Sequence, residues 1–213
     1  MKSNRTRKTS VITRRQFLKG SAVAATGAAL LGPTIVPSSV FGAEAPSNRI
    51  TIGCIGVGRQ GTADMRDFLG LPSAQIIAVC DVDARRLANA QKTVETHYSR
   101  QSSGGTYKGC KTYGDFRELV AQADIDAVSI VTPDHWHALP AIAAAKAGKD
   151  IFLEKPLTLT IEEGRILSDT VRRYNRVFQV GSQQRSDTRF RQACELARNG
   201  RVGKIHTVKV GFG

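Results

Sequence analysis

Acidic residues are scarce in this chain of 213 residues: 18 Asp and Glu stand against 31 Lys and Arg, for a net charge of +13 at neutral pH. The shortage is uneven. Residues 1–45 hold seven basic residues and one Glu, residues 46–164 hold 13 basic and 14 acidic residues, and residues 165–213 hold 11 basic and three acidic. The middle is neutral, and the two basic ends need separate explanations. Aromatics make up only 6% of the chain. In the basic C-terminal stretch they are Tyr174, Phe178, Phe190 and Phe212, too few for a nucleic-acid surface built on base stacking, so no nucleic-acid partner is expected. Prolines number seven and hydrophobic residues reach 41%, which excludes low-complexity disorder and implies a packed domain. The four cysteines (Cys54, Cys80, Cys110, Cys194) show no C-x-x-C spacing, so neither a zinc site nor a disulfide framework is indicated. Cys54 and Cys80 fall inside apolar runs, where a thiol behaves as a small hydrophobe. No internal repeat is apparent.

Long apolar runs are missing too. The stretch GSAVAATGAALLG is rich in Ala and Gly and is followed by Pro33 and Pro37, short of the roughly 20 strongly apolar residues that span a bilayer. It follows TRRQFLK, in which Arg14 and Arg15 are adjacent, and no charged residue stands from Gly20 to Ala43. Small residues at Gly42, Ala43 and Ala45 offer cleavage sites. A charged region followed by a weak apolar one is an export signal, and the paired arginines before Phe-Leu-Lys resemble a twin-arginine leader. Residues 1–45 are therefore expected to be a removed address, leaving a periplasmic or extracytoplasmic protein without a membrane span. An uncleaved anchor and a basic nucleic-acid arm are the alternatives.

From Arg49 onward, apolar runs alternate with amphipathic segments. RITIGCI leads to a glycine cluster and a helix with Ala63, Phe68 and Leu69 at helical spacing; AQIIAVC leads to a stripe of Leu87, Ala90, Val94 and Tyr98. SSGG (102–105) marks a loop. CKTY, DAVSIVT, DIFLEKP and VFQVGS read as further strands, separated by helices with Phe116, Leu119 and Val120 inward, over HALPAIAAAKAG, and over 161–174. Nearly continuous apolar strands between helices imply a parallel sheet covered on both faces, a doubly wound α/β domain over 48–181. After it, TRFRQACELARNGRVG reads as a basic helix with a glycine stop, and KIHTVKVGFG alternates like an exposed antiparallel strand.

Three motifs carry chemistry. Gly56-Val57-Gly58-Arg59-Gln60-Gly61 is a G-x-G-x-x-G between the first strand and the first helix. Gly56 allows a tight turn, Gly58 lets backbone approach a pyrophosphate, Gly61 permits close helix-to-strand packing, and the helix N-terminus offers N–H groups and partial positive charge. Asp81, 20 residues beyond Gly61 at the end of the second strand, is placed to accept from the adenosine ribose hydroxyls. That carboxylate favours NAD, while Arg85 and Arg86 offer a partner to the extra phosphate of NADP, so NADP stays open. The second motif is Glu154-Lys155-Pro156 at the carboxyl end of the fifth strand, where an ammonium between a nicotinamide and a hydroxyl polarises the oxygen. The third is Val131-Thr132-Pro133-Asp134-His135-Trp136-His137 after the fourth strand, read as a loop against the nicotinamide ribose. Two histidines at i and i+2 invite a metal, but no Cys or carboxylate set completes a site nearby and none is expected.

Together with GSQQRS, these motifs in this order and spacing resemble the glucose-fructose oxidoreductase, inositol dehydrogenase and rhizopine-catabolism family (Gfo/Idh/MocA), over about Asn48 to Gly213. The resemblance implies a Rossmann domain and a catalytic lysine at Lys155, preceded by Glu154 and followed by a frequently cis bond to Pro156. It also implies that Thr132, Pro133 and His137 line the cofactor with the glycine turn; Asp134 stands where the family usually has asparagine. Members continue into a second domain that forms the substrate pocket and mediates homo-oligomers. Residues 182–213 are expected to be its incomplete beginning, their basic charge being a solvated helix face or a face meant for the absent domain or for an acidic sugar, and His206 is not read as that domain's catalytic histidine. The function implied is hydride transfer on a sugar or polyol. Redox glycoside hydrolysis with retained NAD is the alternative, and a nucleotide-binding module without chemistry a third.

Overall fold

The computed structural model describes residues 48–101 and 107–211. The leader, its cleavage region and the 102–105 loop lie outside the described residues. The alternation of apolar runs and helices becomes β1 (Ile50–Ile55), α1 (Arg59–Leu69), β2 (Ala74–Cys80), α2 (Ala84–Gln101), β3 (Lys111–Tyr113), α3 (Phe116–Val120), β4 (Ala127–Ile130), α4 (Ala138–Lys146), β5 (Asp150–Glu154), α5 (Ile161–Arg173), β6 (Phe178–Gly181) and α6 (Thr188–Arg198). The six strands form one parallel sheet in the order β3-β2-β1-β4-β5-β6. The chain winds outward from β1 to β3, then returns to the other side of β1 at β4. The loops leaving β1 and β4 diverge there and open a crevice at the carboxyl edge, the place where open α/β sheets bind ligands.

Each face of the sheet buries its own core. On one side Ile52, Cys54, Ile76 and Val79 meet Met65 and Leu69 of α1 and Ala90, Val94 and Tyr98 of α2; on the other, Ile55, Val128, Ile130 and Leu153 meet Leu119, Ala141, Ala144 and Leu167. One extra residue sets the parity of β2. Ile52 pairs with Ile76 but Gly53 pairs with Ala78, leaving Ile77 over, so Ile76 and Val79 share a face despite their odd spacing. Burial pushes the thiols of Cys80 and Cys110 up to about 12 and that of Cys54 higher still, which keeps all three protonated and inert.

The helix ends follow local chemistry. The Thr160 hydroxyl accepts from the Glu163 N–H while the Glu163 carboxylate accepts from the Thr160 N–H, a capping box that starts α5, and Arg172 and Arg173 complement the dipole at its other end. Gly148 closes α4 at φ +79°.

Two expectations are corrected. Ala63 is exposed; beside the expected Leu69, α1 buries Gly61 and Met65, because the contact at Gly61 sets the helix rotation. Residues 204–211 form no strand and are exposed throughout: a strand requires a ladder of hydrogen bonds, and no described strand lies beside them to supply it. The basic helix before them is present as α6, and it buries no residue.

Candidate active site

A cleft of about 610 Å³ lies at the carboxyl edge of the sheet, lined from the loops after β1, β2, β3, β4 and β5. All eleven residues singled out from the sequence line it: Gly56, Gly58, Arg59, Gln60, Gly61, Asp81, Thr132, Pro133, His137, Glu154 and Lys155.

The three glycines of the turn meet different demands. Gly56 has φ +82°, and a Cβ there would stand 2.5 Å from the Val131 carbonyl oxygen. A Cβ at Gly61 would stand 1.9 Å from the Gly56 carbonyl oxygen, so α1 comes this close to β1 only with glycine. Gly58 is different: its φ of −69° is open to any residue, and a Cβ there would touch nothing nearer than the Arg86 guanidinium at 3.6 Å. No protein contact requires glycine at 58, yet the position faces the cleft. Gly58 is also the N-cap of α1, with no side chain capping the helix and no acid in its first turn. The N–H groups of that turn are left for an anion, and a dinucleotide pyrophosphate fits this cradle. The Thr132 hydroxyl oxygen, buried without a partner, adds a polar group for the same ligand.

These roles separate by mutation. Gly61→Ala is expected to lower stability by at least about 2 kcal/mol, since the clash is with backbone. Gly58→Ala is expected to leave stability within about 0.5 kcal/mol and weaken NADH binding about tenfold. Chemical denaturation and NADH fluorescence titration of the two variants check the contrast; equal effects on both quantities would contradict it.

Asp81 is 8% exposed and holds two backbone groups. Its Oδ2 accepts from the Val57 N–H at 2.9 Å, fixing the glycine turn, and its Oδ1 accepts from the Asp83 N–H at 2.9 Å. Each oxygen keeps a lone pair for a further donor. Of the two arginines beyond it, Arg85 turns away toward Asp83 with its side chain 92% exposed, whereas Arg86 lines the cleft.

At the carboxyl end of β5, Glu154 is buried and Lys155 is half-exposed. The Glu154 Oε2 accepts from the Lys155 N–H at 2.8 Å and stands 3.9 Å from the Lys155 ammonium. The Lys155–Pro156 peptide is cis. Behind them, Asp64 of α1 accepts from Gln60 at 2.7 Å through Oδ1, while its Oδ2 is buried without a partner. Burial pushes the carboxyls of both Asp64 and Glu154 up, and the Asp64 charge raises Glu154 further against the opposing pull of Lys155. A carboxyl raised on folding binds protons more readily in the folded state, so its effect on stability is unfavourable and grows as pH rises from its unfolded value through its folded one. Asp64→Asn is therefore expected to melt above the native chain at pH 7, with the gap closing as pH falls toward about 4. A gap that widens on acidification would refute the coupling.

Residues beyond those singled out also reach the cleft. The Gly114–Arg117 turn after β3 brings Phe116, whose ring meets the half-exposed Trp136 edge-on at 6.4 Å. Nothing in local sequence marks this turn; its place at a strand's carboxyl end is the only signal. His135 is exposed, while His137 is turned inward with both ring nitrogens on main-chain carbonyls, which leaves neither free to ligate a metal. His206 lies far along the exposed C-terminal segment.

Comparison with known proteins agrees with this geometry. Residues 50–182 match the oxidoreductase family with an NAD-binding Rossmann fold, Gfo/Idh/MocA, and residues 11–31 match the twin-arginine translocation signal. A glycosyl hydrolase family 109 protein of Shewanella amazonensis is 38% identical over 75% of this chain and 36% of its own length. Myo-inositol 2-dehydrogenase of Thermotoga maritima is 28% identical over 75% of this chain and 44% of its own. The crystal structure of scyllo-inositol dehydrogenase from Lactobacillus casei, with bound NAD(H) and scyllo-inositol, superposes with a TM-score of 0.62 at 31% identity, covering 74% of this chain and 43% of that one. The chain thus spans well under half the length of these relatives. The glycine turn, the acid at the end of β2 and the sheet order coincide with a family match that covers most of the chain: it belongs to the Gfo/Idh/MocA oxidoreductase family, through its NAD-binding Rossmann domain.

Proposed function

We propose that the chain is the nucleotide-binding part of an exported dehydrogenase that oxidises a carbinol of a sugar or polyol. The observation that carries this is the placement of Lys155: it lines the same cleft as the glycine cradle, with its side chain 53% exposed and its ammonium 3.9 Å from the Glu154 carboxylate. The cradle, Asp81 and the Thr132 hydroxyl hold the dinucleotide, with NAD preferred and NADP admitted beside Arg86. When bound, that cofactor supplies the hydride acceptor. Lys155 donates a hydrogen bond to the substrate hydroxyl oxygen, polarises it and stabilises the developing negative charge while the hydroxyl proton passes to solvent in the open cleft. Glu154 holds the Lys155 backbone from below. Residues 48–181 act as the nucleotide domain and 182–213 as the start of a second, substrate-binding domain; the exposed α6 supports a boundary near Gly181. The twin-arginine match supports delivery to the periplasm in folded form.

The similarity to family 109 glycosyl hydrolases favours a second reading, glycoside cleavage through transient oxidation with NAD retained. Titration with NADH, then absorbance in the reduced-nicotinamide band across a panel of polyols, sugars and glycosides, separates them. A dehydrogenase accumulates NADH with a polyol. A glycosidase releases aglycone without net NADH. Absence of NADH binding would overturn both.

A further inference from the structure

On one face of the sheet α1 buries Met65 and Leu69 beside Ala90, Val94 and Tyr98 of α2. The two helices border two depressions, of about 380 and 520 Å³, that share Arg66, Lys92 and Thr93 and so form one groove. Charge is sorted here. Residues 48–101 hold seven Lys and Arg and five Asp and Glu. Five of the seven basic residues, Arg59, Arg66, Arg86, Lys92 and Arg100, line the groove, and none of the five acids does. Glu95 lines only an adjoining depression, which shares Lys92 and Arg100. Among the described residues, Arg59, Arg66, Lys92 and Arg100 make no ion pair and no side-chain hydrogen bond. Like charges gathered without partners repel, and protein surfaces ordinarily intersperse the two signs. A groove of one sign concentrates a ligand of the other.

The spacing describes that ligand. On α2, Arg86, Asn89, Thr93, Thr96 and Arg100 recur at helical spacing, so the two end cations stand about 21 Å apart along the axis. On α1, Arg59 and Arg66 stand two turns apart, about 10 Å. Charges spread this far suit an extended polyanion, not one compact phosphate. The groups between them narrow its chemistry. The Thr62 and Thr93 hydroxyls already donate to the Val57 and Asn89 carbonyls, so they present acceptor lone pairs to the groove. A phosphate chain has no proton to give them, whereas a sugar hydroxyl has. No Phe, Tyr or Trp lines the groove, which leaves nucleic-acid bases no ring to stack on. We propose that the groove between α1 and α2 docks a segment of an acidic polysaccharide, with its carboxylates on Arg66, Lys92 and Arg100 and its hydroxyls on Thr62 and Thr93. Gly58, Arg59 and Arg86 line both this groove and the cofactor cleft, so a glycan docked here lies beside that cleft. The docking holds whichever substrate or reaction the cleft serves.

Titration of the chain, with NADH present to occupy the glycine cradle, tests it by calorimetry and by backbone amide shifts. The ligands are a short galacturonate oligomer, its uncharged methyl ester, and inorganic polyphosphate of matching length. The galacturonate oligomer is expected to bind with its largest shifts at Arg66, Thr93 and Thr96, and the methyl ester about tenfold more weakly or worse. Arg66, Lys92 and Arg100 are exposed, and their joint replacement by Gln is expected to weaken galacturonate about 30-fold while melting temperature and NADH affinity hold. Thr93→Val, close in shape, is expected to weaken galacturonate about threefold and leave polyphosphate unchanged. Polyphosphate binding as tightly as galacturonate would reduce the groove to a charged surface and overturn the proposal. So would equal binding of the methyl ester, shifts confined to α6, or a triple variant that binds like the native chain.

Discussion

Lys155→Ala is expected to reduce turnover by about 10³-fold while leaving NADH affinity within about twofold. The asymmetry follows from geometry. The Lys155 ammonium makes one distant ion pair, 3.9 Å to Glu154, and its side chain is half in solvent, so its removal takes little from the fold or from the glycine cradle. What it removes is the ammonium proposed to hold the substrate hydroxyl. Lys155→Arg sharpens the result: guanidinium keeps the charge but spreads it over a planar fork on a longer stem, which misplaces the donor at the hydroxyl, so turnover is expected to stay low even where substrate binding survives. The decisive measurements are initial rates in the reduced-nicotinamide band and a fluorescence titration with NADH. Loss of NADH affinity in step with turnover would place Lys155 in the cofactor's hold and not at the substrate.

Asp81→Ala is expected to weaken NADH binding about 100-fold and to raise the NADP-to-NAD preference. Two losses coincide at this side chain. Val57, 2% exposed, loses the acceptor for its N–H, so the glycine turn relaxes at a cost of about 1–3 kcal/mol. The ribose loses its carboxylate, and with it the charge that opposes a second phosphate, while Arg86 remains in the cleft wall. Arg86→Gln in the same assay should move the preference the other way. An unchanged cofactor ratio in Asp81→Ala would refute its selective role and leave only the structural one.

Much of this architecture was legible because the signals are local. A glycine turn between an apolar run and a helix, an acid at the end of the next strand, and a lysine at the end of the fifth each announce themselves within a few residues. What escaped has a physical reason in each case. The apolar run AQIIAVC is buried on both faces, so no alternation betrays the extra residue at Ile77. Met65 rather than Ala63 faces the sheet because the 1.9 Å constraint at Gly61 turns α1, and a periodicity count does not include that contact. Phe116 reaches the cleft through strand order alone. Lys149, 6% exposed, donates to the Gln122 and Ile125 carbonyls at 2.5 and 2.7 Å; a lysine after a helix reads as solvated until those carbonyls are placed under it. The 204–211 segment failed for the converse reason, since alternation describes a strand's faces but does not provide its neighbour.

The sheet order also governs how this protein meets its own kind when crowded or partly unfolded. The long strands, β1 with six residues and β2 with seven, are interior, whereas the edges are β3 with three residues and β6 with four. An exposed edge is a template for intermolecular pairing, and a template this short holds few hydrogen bonds. Aggregation by strand addition is thereby discouraged at both margins of the sheet, and at β3 the exposed Lys111 adds a charge to the edge.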